Sequence, residues 1–268
     1  MEKEQQRLHN ILKELKSVLV AFSGGVDSTF LLCAAHQVLG DRVLAVTASS
    51  SIHPRRELAQ ARRLAKELGV RHRVIRSREF DDGRFVRNDS RRCYYCKRGL
   101  FEILLGIARR EGLHAVVDGS NRDDLNDYRP GAEALRQLDI RSPLQEAGLT
   151  KEQIRRLSRR IGLSAWDRPA MACLASRIPY GTELKREDLK MVERAEEKLI
   201  GLGYNRVRVR HHGRLARIEV ERENLERLLT DRRRIVPALK RIGYLYVAVD
   251  LEGYRVGSLN EALSFPDS

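Results

Sequence analysis

The sequence has little of what marks membrane, secreted or disulfide-stabilised proteins. Of its 268 residues, four are cysteine and one is tryptophan. No apolar run reaches the roughly 18 residues that a membrane span needs. The charged start, Met1–Gln6, lacks the apolar core of a signal peptide. We therefore expect a cytoplasmic protein without a membrane partner, whose thiols bind metal or do chemistry instead of forming disulfides.

The composition is strongly basic. Lysine and arginine number 51 against 37 acidic residues, which gives a net charge of +14 at pH 7. One interpretation is a solvated basic surface. The other is attraction of polyanions such as ATP, a nucleotide substrate or RNA. Basic residues fall in helical runs such as 55–63 and 155–160, which favours solvated helix faces over a single groove.

Strands alternate with helices over the first 160 residues. Val18–Phe22 is a continuous apolar run, typical of a strand buried on both faces. Further strands are predicted at 43–47, 72–75 and 114–118, and helices at 5–16, 29–39, 54–68, 96–111 and 150–160. Thr150 and Gln153 fit a capping box at the start of the last helix. This alternation predicts an α/β fold with a doubly wound parallel sheet.

The pattern changes after an irregular stretch at 166–181. A helix at 186–202, strands at 206–210 and 215–220, a helix at 222–242 and a strand at 244–249 are predicted. We therefore expect a main domain over residues 1–181. A smaller α+β domain over 182–268 is expected to bind substrate or to form an oligomer interface.

A glycine-rich segment, Ser23-Gly24-Gly25-Val26-Asp27-Ser28, joins the first strand to a helix. Adjacent glycines allow a phosphate to approach closely, and the amides and dipole of a helix start favour an anion. The Ser23 and Ser28 hydroxyls can donate to phosphate oxygens, and Asp27 can hold Mg²⁺. The string lacks the Gly-Lys-Ser/Thr of a Walker loop. It predicts a nucleotide phosphate site, with an ordinary glycine-rich turn as the alternative.

Three thiols form a second constellation. Cys93 and Cys96 have Cys-x-x-Cys spacing at a predicted helix start, and Cys173 lies 80 residues after Cys93. A structural zinc site usually has four ligands, whereas a [4Fe–4S] cluster on three cysteines leaves one iron open for a ligand such as hydrosulfide. The alternatives are zinc with His211 or His212, a redox pair, and a lone Cys173 nucleophile.

The segment 23–28 resembles the phosphate loop of the PP-loop ATP pyrophosphatase superfamily. Members cleave ATP between the α and β phosphates, form an adenylate and release pyrophosphate. The resemblance implies that Thr47 and Ala48 lie beside the adenosine. It also implies that Asp118-Gly119-Ser120-Asn121 helps to bind ATP and Mg²⁺. Both segments end predicted strands, at the sheet edge where such folds bind ligands.

Further motifs narrow the resemblance. The strings at 92–97, 118–121, 127–131 and 172–181 together are similar to those of the LarE family, over nearly the whole chain. LarE proteins serve nickel-pincer nucleotide cofactor synthesis. They adenylate carboxylates of pyridinium-3,5-biscarboxylic acid mononucleotide and replace oxygen with sulfur. One branch sacrifices a single cysteine, and the other has three. The set Cys93, Cys96 and Cys173 implies the three-cysteine, [4Fe–4S] branch, in which Cys173 is a metal ligand and not consumed.

Several charged residues complete the expected site. Arg177, four residues from Cys173, is a candidate catalytic clamp for substrate phosphate. Arg129 matches a substrate-site position of the family. Asp124 either binds the metal or caps a helix.

The remaining expectations concern the C-terminal domain and the partners. Arg208 and Arg210 share a strand face and either bind phosphate or pair with Glu219 or Glu221 across the hairpin. The resemblance implies a small-molecule nucleotide substrate, a sulfur donor and a homo-oligomer. The alternatives are tRNA thiolation on the same fold and a non-catalytic nucleotide-binding or metal-storage protein.

Overall fold

The chain forms two compact units in a computed structural model that describes residues 2–126, 130–168, 172–255 and 257–263. The first unit comprises residues 1–85 and 91–171, and the second comprises residues 86–90 and 172–268. The domain boundary expected after residue 181 thus falls inside the second unit.

Hydrogen bonds explain why the early segment 86–90 belongs to the second unit. The Asn88 side-chain amide donates to the carbonyl oxygens of Pro179 and Thr182 at 2.7 and 2.9 Å. The Gly181 amide in turn donates to the Asn88 carbonyl at 3.1 Å. The sequence pattern alone gave no sign of this pairing, because its two partners are about 90 residues apart along the chain.

Helices and strands alternate in the first unit, as predicted. They are α1 (Glu2–Leu15), β1 (Val18–Ala21), α2 (Val26–Leu39), β2 (Val43–Ser49), α3 (Arg55–Glu67), β3 (His72–Arg76), α4 (Gly83–Val86, whose last residue enters the second unit), α5 (Arg92–Arg110), β4 (Ala115–Val117), α6 (Pro130–Gln137), α7 (Pro143–Glu146) and α8 (Lys151–Arg160). The short helices α4, α6 and α7 were not predicted.

The four strands of this unit form a parallel sheet in the order β3-β2-β1-β4. Successive residues of a strand face opposite sides. Val18 and Val20 accordingly pack in one core with Phe30 of α2, while Leu19 packs in another with Phe101 of α5. Helices therefore cover both faces, which confirms the doubly wound α/β fold.

The strand order reverses beside β1. The chain proceeds outward from β1 through β2 to β3, and then returns to place β4 on the other side of β1. In such sheets the carboxyl ends of the two strands at the reversal flank a crevice where ligands bind. The residues that follow β1 and β4 are therefore expected to line the site.

The second unit holds α9 (Arg186–Gly201), β5 (Val207–His212), β6 (Leu215–Val220), α10 (Leu225–Thr230), α11 (Arg232–Ile242) and β7 (Tyr246–Val249). Its sheet has the order β5-β6-β7, with β5 antiparallel and β7 parallel to β6. The core includes Leu199, Val209, Ile218 and Leu239. These elements match the predicted α+β unit.

The single helix predicted over 222–242 is wrong in one respect. The chain instead forms a 3₁₀ turn at Arg222–Asn224, then α10 and α11, which meet at Asp231. The Asp231 carboxylate accepts the Tyr204 hydroxyl at 2.8 Å, a tertiary contact that periodicity does not reveal. None of the helices in the described parts of either unit has the length and apolar character needed to cross a bilayer.

Candidate active site

The segment 23–28 turns from β1 into α2 at the sheet edge expected for ligands. Gly24 has φ of +75°, and a Cβ atom there would lie 3.2 Å from the Ala61 Cα of α3. Both the backbone angle and the close packing therefore require glycine. Gly25 caps α2 in an extended conformation without a side-chain cap. The amides of the first helical turn have no acceptor within the helix and are suited to bind an anion.

The two serine hydroxyls brace this loop. The Oγ atoms of Ser23 and Ser28 lie 3.1 Å apart. The Gly25 amide donates to Ser23 Oγ at 3.3 Å, and Ser28 Oγ donates to the Gly25 carbonyl at 3.1 Å. The hydroxyls thus fix the loop geometry as well as offering polar atoms to a phosphate.

Asp27 combines an ion pair with an unpaired oxygen. Its Oδ2 pairs with Lys151 Nζ, while its buried Oδ1 has no hydrogen-bond partner among the described residues. Burial raises the pKa of Asp27; the Lys151 charge opposes this and the nearby Asp124 charge adds to it. A buried carboxylate oxygen without a donor suits a hard cation. The site therefore fits the Mg²⁺ that accompanies ATP.

Asp118 and Gly119 reach the loop from the end of β4. A Cβ atom on Gly119 would lie 3.0 Å from the Ser28 backbone nitrogen, so this approach also requires glycine. Asp118 is buried and accepts the Ser142 hydroxyl at 2.7 Å and Lys97 Nζ at 3.3 Å. The predicted nucleotide segment is therefore in van der Waals contact with the phosphate loop.

Asn121 and Asp124 form a turn beside this segment. The Asn121 backbone amide donates to Asp124 Oδ2 at 2.9 Å, and the Asn121 side-chain Oδ1 accepts the Asp123 backbone amide at 2.9 Å. Asp123 Oδ2 accepts the Lys151 amide at 2.8 Å. Asp124 thus caps a turn and still lies near enough to Asp27 to influence its charge.

Thr47 is turned into the fold. It is 5% exposed, and its hydroxyl donates to the Phe22 carbonyl at 2.7 Å and lies 2.8 Å from His72 Nε2. The hydroxyl therefore ties β2 to the residue that precedes the phosphate loop. Ala48, the next residue, is partly exposed near the end of β2.

Three cations near the loop were not predicted from the sequence. Lys151 pairs with Asp27, Arg168 donates to the Gly24 carbonyl at 3.1 Å, and Arg155 donates to the Arg168 carbonyl at 2.6 Å. The signal for Lys151 was present, because the predicted capping box at Thr150 and Gln153 is observed and fixes the start of α8. Nothing in the sequence pattern marked the other two.

The Cys-x-x-Cys pair lies in the first turn of α5, where residues three apart share a helix face. Cys93 is exposed and Cys96 is half-buried. The next residue, Lys97, reaches Asp118, which links this turn to the nucleotide segment within the first unit. All four cysteines are among the described residues, and none is in a disulfide.

Cys173 belongs to the second unit, where it precedes a 3₁₀ turn at Leu174–Arg177. The Arg177 guanidinium is 0% exposed and pairs with Glu196 at 2.9 Å. It also donates to the carbonyls of Ala172 and Cys173 at 2.6 and 2.8 Å. In the structure Arg177 therefore positions the backbone that carries Cys173, and its expected role as a phosphate clamp stays a prediction.

The paired basic residues of β5 behave differently from each other. Arg210 pairs with Glu219 at 2.7 Å, as one of the two sequence interpretations expected, and donates to the Ser176 carbonyl at 2.7 Å. Arg208 donates to the Val207 carbonyl and stacks on the Tyr254 ring. Burial lowers the pKa of Arg208, and the nearby Arg177 charge lowers it further.

These contacts do not test two of the expectations about the site. Arg129 lies outside the described residues. In the described ranges, no three His, Cys, Asp or Glu side chains are grouped to hold a metal ion. The cluster ligands and the Mg²⁺ ligands thus remain predictions.

Comparison with known proteins identifies the family. Residues 1–128 match the PP-loop domain. The chain is 41% identical to an uncharacterised protein of Synechocystis over 98% of this chain and 99% of that protein. It is 39% identical to the pyridinium-3,5-bisthiocarboxylic acid mononucleotide synthase of Lactiplantibacillus plantarum, over 94% of this chain and 92% of the synthase. This chain belongs to the LarE family.

These matches confirm three predictions made from the sequence: the LarE family, the α/β fold and an ATP-dependent enzyme. A more distant similarity links this LarE-family protein to a glutamine-hydrolysing GMP synthase of Aeropyrum pernix. The identity is 26%, over 70% of this chain and 40% of that synthase.

Proposed function

We propose that this protein adenylates carboxylates of pyridinium-3,5-biscarboxylic acid mononucleotide with ATP and converts them to thiocarboxylates. The product is the one named in its Lactiplantibacillus relative. The observation that carries the proposal is the connected set of contacts in the first unit. Lys97, beside Cys96, reaches Asp118, and the adjoining Gly119 touches the phosphate loop. One connected region thus holds both the nucleotide loop and two thiols.

The loop residues account for the adenylation step. First-turn amides of α2 bind phosphate oxygens, and Ser23 and Ser28 hold the loop in shape for them. Asp27, with Asp124 nearby, would hold Mg²⁺, which supplies positive charge to the triphosphate when bound. The substrate carboxylate oxygen attacks the α-phosphorus, and the bond to the β-phosphate oxygen breaks. Pyrophosphate leaves with that electron pair.

Sulfur then replaces the activated oxygen. A carbon–sulfur bond forms at the acyl carbon as AMP departs with the carbon–oxygen electron pair. Cys93, Cys96 and Cys173 are soft thiol donors of the kind that an iron–sulfur cluster requires. They would hold a [4Fe–4S] cluster, which supplies sulfur for transfer when bound. Arg177 contributes by fixing the Cys173 backbone.

An anaerobic experiment tests this function. The purified protein is assayed for iron and acid-labile sulfide, and then incubated with ATP, Mg²⁺, sulfide and the dicarboxylate nucleotide. We expect pyrophosphate release and a product whose mass increases by the exchange of sulfur for oxygen. Cys93→Ala, Cys96→Ala and Cys173→Ala should lose the cluster and the product but keep ATP binding. Cys33→Ala, at a partly buried core position, serves as the matched control.

The outcomes separate the three sulfur mechanisms. Thiocarboxylate formed once per chain, with Cys173 converted to dehydroalanine, would replace the cluster by a sacrificial cysteine. Zinc in place of iron would remove the cluster route. Absence of pyrophosphate release with the dicarboxylate substrate would overturn the proposed function itself.

A further inference from the structure

The phosphate loop has two chemically different flanks. On one flank, Gly119 touches the Ser28 backbone. Its neighbour Asp118 pairs with Lys97, which follows Cys96 in α5. On the other flank, Gly24 packs against Ala61 of α3, and Arg168 donates to the Gly24 carbonyl. The first flank faces the groups assigned to sulfur chemistry. The second has no such group among the described residues and brings the Arg168 guanidinium to the loop.

Arg168 is anchored but not saturated. Its main chain is held by Arg155, whose guanidinium donates to the Arg168 carbonyl at 2.6 Å. Its own side chain makes one hydrogen bond to the described protein atoms, from Nη1 to the Gly24 carbonyl at 3.1 Å. A guanidinium has five N–H donors in a rigid fork that matches phosphate oxygens. Donors therefore remain for a ligand beside the loop.

The surroundings of Arg168 favour an anion. Burial lowers the pKa of Arg168, and the charges of Arg63 and Arg56 on α3 lower it further, against the opposing charges of Glu57 and Asp167. Arg63 also pairs with Glu67 on the surface at 3.3 Å, a contact of little energetic weight. Arg168 is thus a partly desolvated cation with charges of both signs around it, Glu57 being the strongest. Such a cation is stabilised further when a polyanion binds next to it.

We propose that Arg168, with Arg56 and Arg63, forms the end of the ATP site that holds the β and γ phosphates and then the departing pyrophosphate. This inference rests on the proposed adenylation, because that reaction alone cleaves ATP into AMP and pyrophosphate here. The α-phosphate then lies toward Gly119, on the flank where the carboxylate substrate and sulfur must meet. Arg168 is a binding residue for the leaving group, which stabilises the charge that develops as the α–β bond breaks.

Calorimetric titration of the full chain with magnesium pyrophosphate and, separately, with AMP tests this assignment. For Arg168→Met we expect pyrophosphate affinity to fall about tenfold, as for the loss of a charge-assisted hydrogen bond. AMP affinity should change by less than about twofold, since the α-phosphate lies on the other flank. Arg136→Met, at an exposed arginine of α6, is the matched control and should alter neither.

Two further variants guard against misfolding. Arg168→Lys keeps the charge but loses the fork, so an intermediate loss of pyrophosphate affinity is expected. The double change Arg56→Met with Arg63→Met leaves the loop contact intact and should weaken pyrophosphate binding by about threefold. Unchanged pyrophosphate affinity in Arg168→Lys and in the double variant overturns the proposal. So does an equal loss of AMP and pyrophosphate affinity in Arg168→Met.

The test is independent of sulfur transfer. Selective loss of pyrophosphate binding, in a protein that never forms thiocarboxylate, would leave this subsite standing and remove the proposed substrate. Normal thiocarboxylate formation with no selective loss would do the reverse.

Discussion

Two glycines pack closely against backbone at the phosphate loop, and neither position has room for a larger side chain. Gly24 packs against the backbone of Ala61. At Gly119, an added Cβ atom would lie only 3.0 Å from the Ser28 backbone nitrogen. The Ser28 contact is with backbone that opens α2, so it cannot yield without moving the anion-binding amides. The identity of residue 119 therefore bears on nucleotide binding although its side chain is a hydrogen atom.

Gly119→Ala should impair nucleotide binding. The new methyl group pushes the loop away from β4 by a few tenths of an ångström, and we expect the KM for ATP to rise about tenfold. Gly99→Ala is the matched control: this position in α5 has open space around it, so the helix should be unchanged or stabilised. Steady-state pyrophosphate release measures both. A KM that rises equally in the two variants would refute the steric argument.

Distance along the chain separates the site residues that could be predicted from those that could not. The loop at 23–28 was predictable because its glycines, hydroxyls and carboxylate are contiguous and follow a strand. The contacts of Lys151 and Arg168 with the loop were not predictable, because each residue lies more than 120 residues away along the chain. The capping box predicted only where the helix that carries Lys151 begins. Arg177 was predicted to clamp substrate phosphate because it is close to Cys173 in sequence, but its buried pairing with Glu196 could not be read from the sequence.

Local sequence patterns determine where helices and strands form, whereas long-range contacts accompany some of their ends. The capping box that begins α8 depends on two residues three apart and was predicted correctly. Strands β1, β2 and β4 are apolar runs, and their pattern is readable because both faces of the sheet are covered. The break between α10 and α11 falls at Asp231, whose carboxylate accepts the Tyr204 hydroxyl from another part of the unit. Local patterns therefore recovered the elements, whereas contacts between elements set their ends.

The 3₁₀ turn after Cys173 contains Arg177, which forms a buried ion pair with Glu196. Breaking that pair leaves an uncompensated charge, so Arg177→Met should lower the stability of the second unit by about 3–5 kcal/mol. The double variant Arg177→Met with Glu196→Gln should regain part of this, since Gln keeps an acceptor for the Val209 amide. Arg206→Met, in an exposed pair with Glu221, should cost less than about 1 kcal/mol.

Urea denaturation followed by two probes measures this prediction. Circular dichroism reports both units, whereas fluorescence of the single tryptophan, Trp166, reports the first unit. The Arg177 loss should appear in circular dichroism while the fluorescence midpoint stays in place. Full stability in Arg177→Met would show that the buried pair does not hold the turn.

The whole molecule carries a net charge of +14, and that charge alone permits binding to RNA. We expect any tRNA binding to be non-specific and to weaken by about a hundredfold or more between 50 and 200 mM salt. Transfer RNA should not alter the rate of thiocarboxylate formation. Filter binding at several salt concentrations, with mass analysis of the tRNA nucleosides, measures both effects. Salt-resistant binding together with a thiolated nucleoside would assign the chain to tRNA thiolation.

The segment 86–90 makes the two units inseparable as genetic modules. The polypeptide passes from the first unit to the second, back again, and then over once more, so the second unit is assembled from two distant pieces of the gene. A fragment starting at residue 172 would lack Asn88, the residue that bridges the Pro179 and Thr182 carbonyls. Exchanging the C-terminal part with that of a relative would likewise pair segment 86–90 with a sequence from another protein. Recombination within this family should therefore succeed only when both pieces travel together.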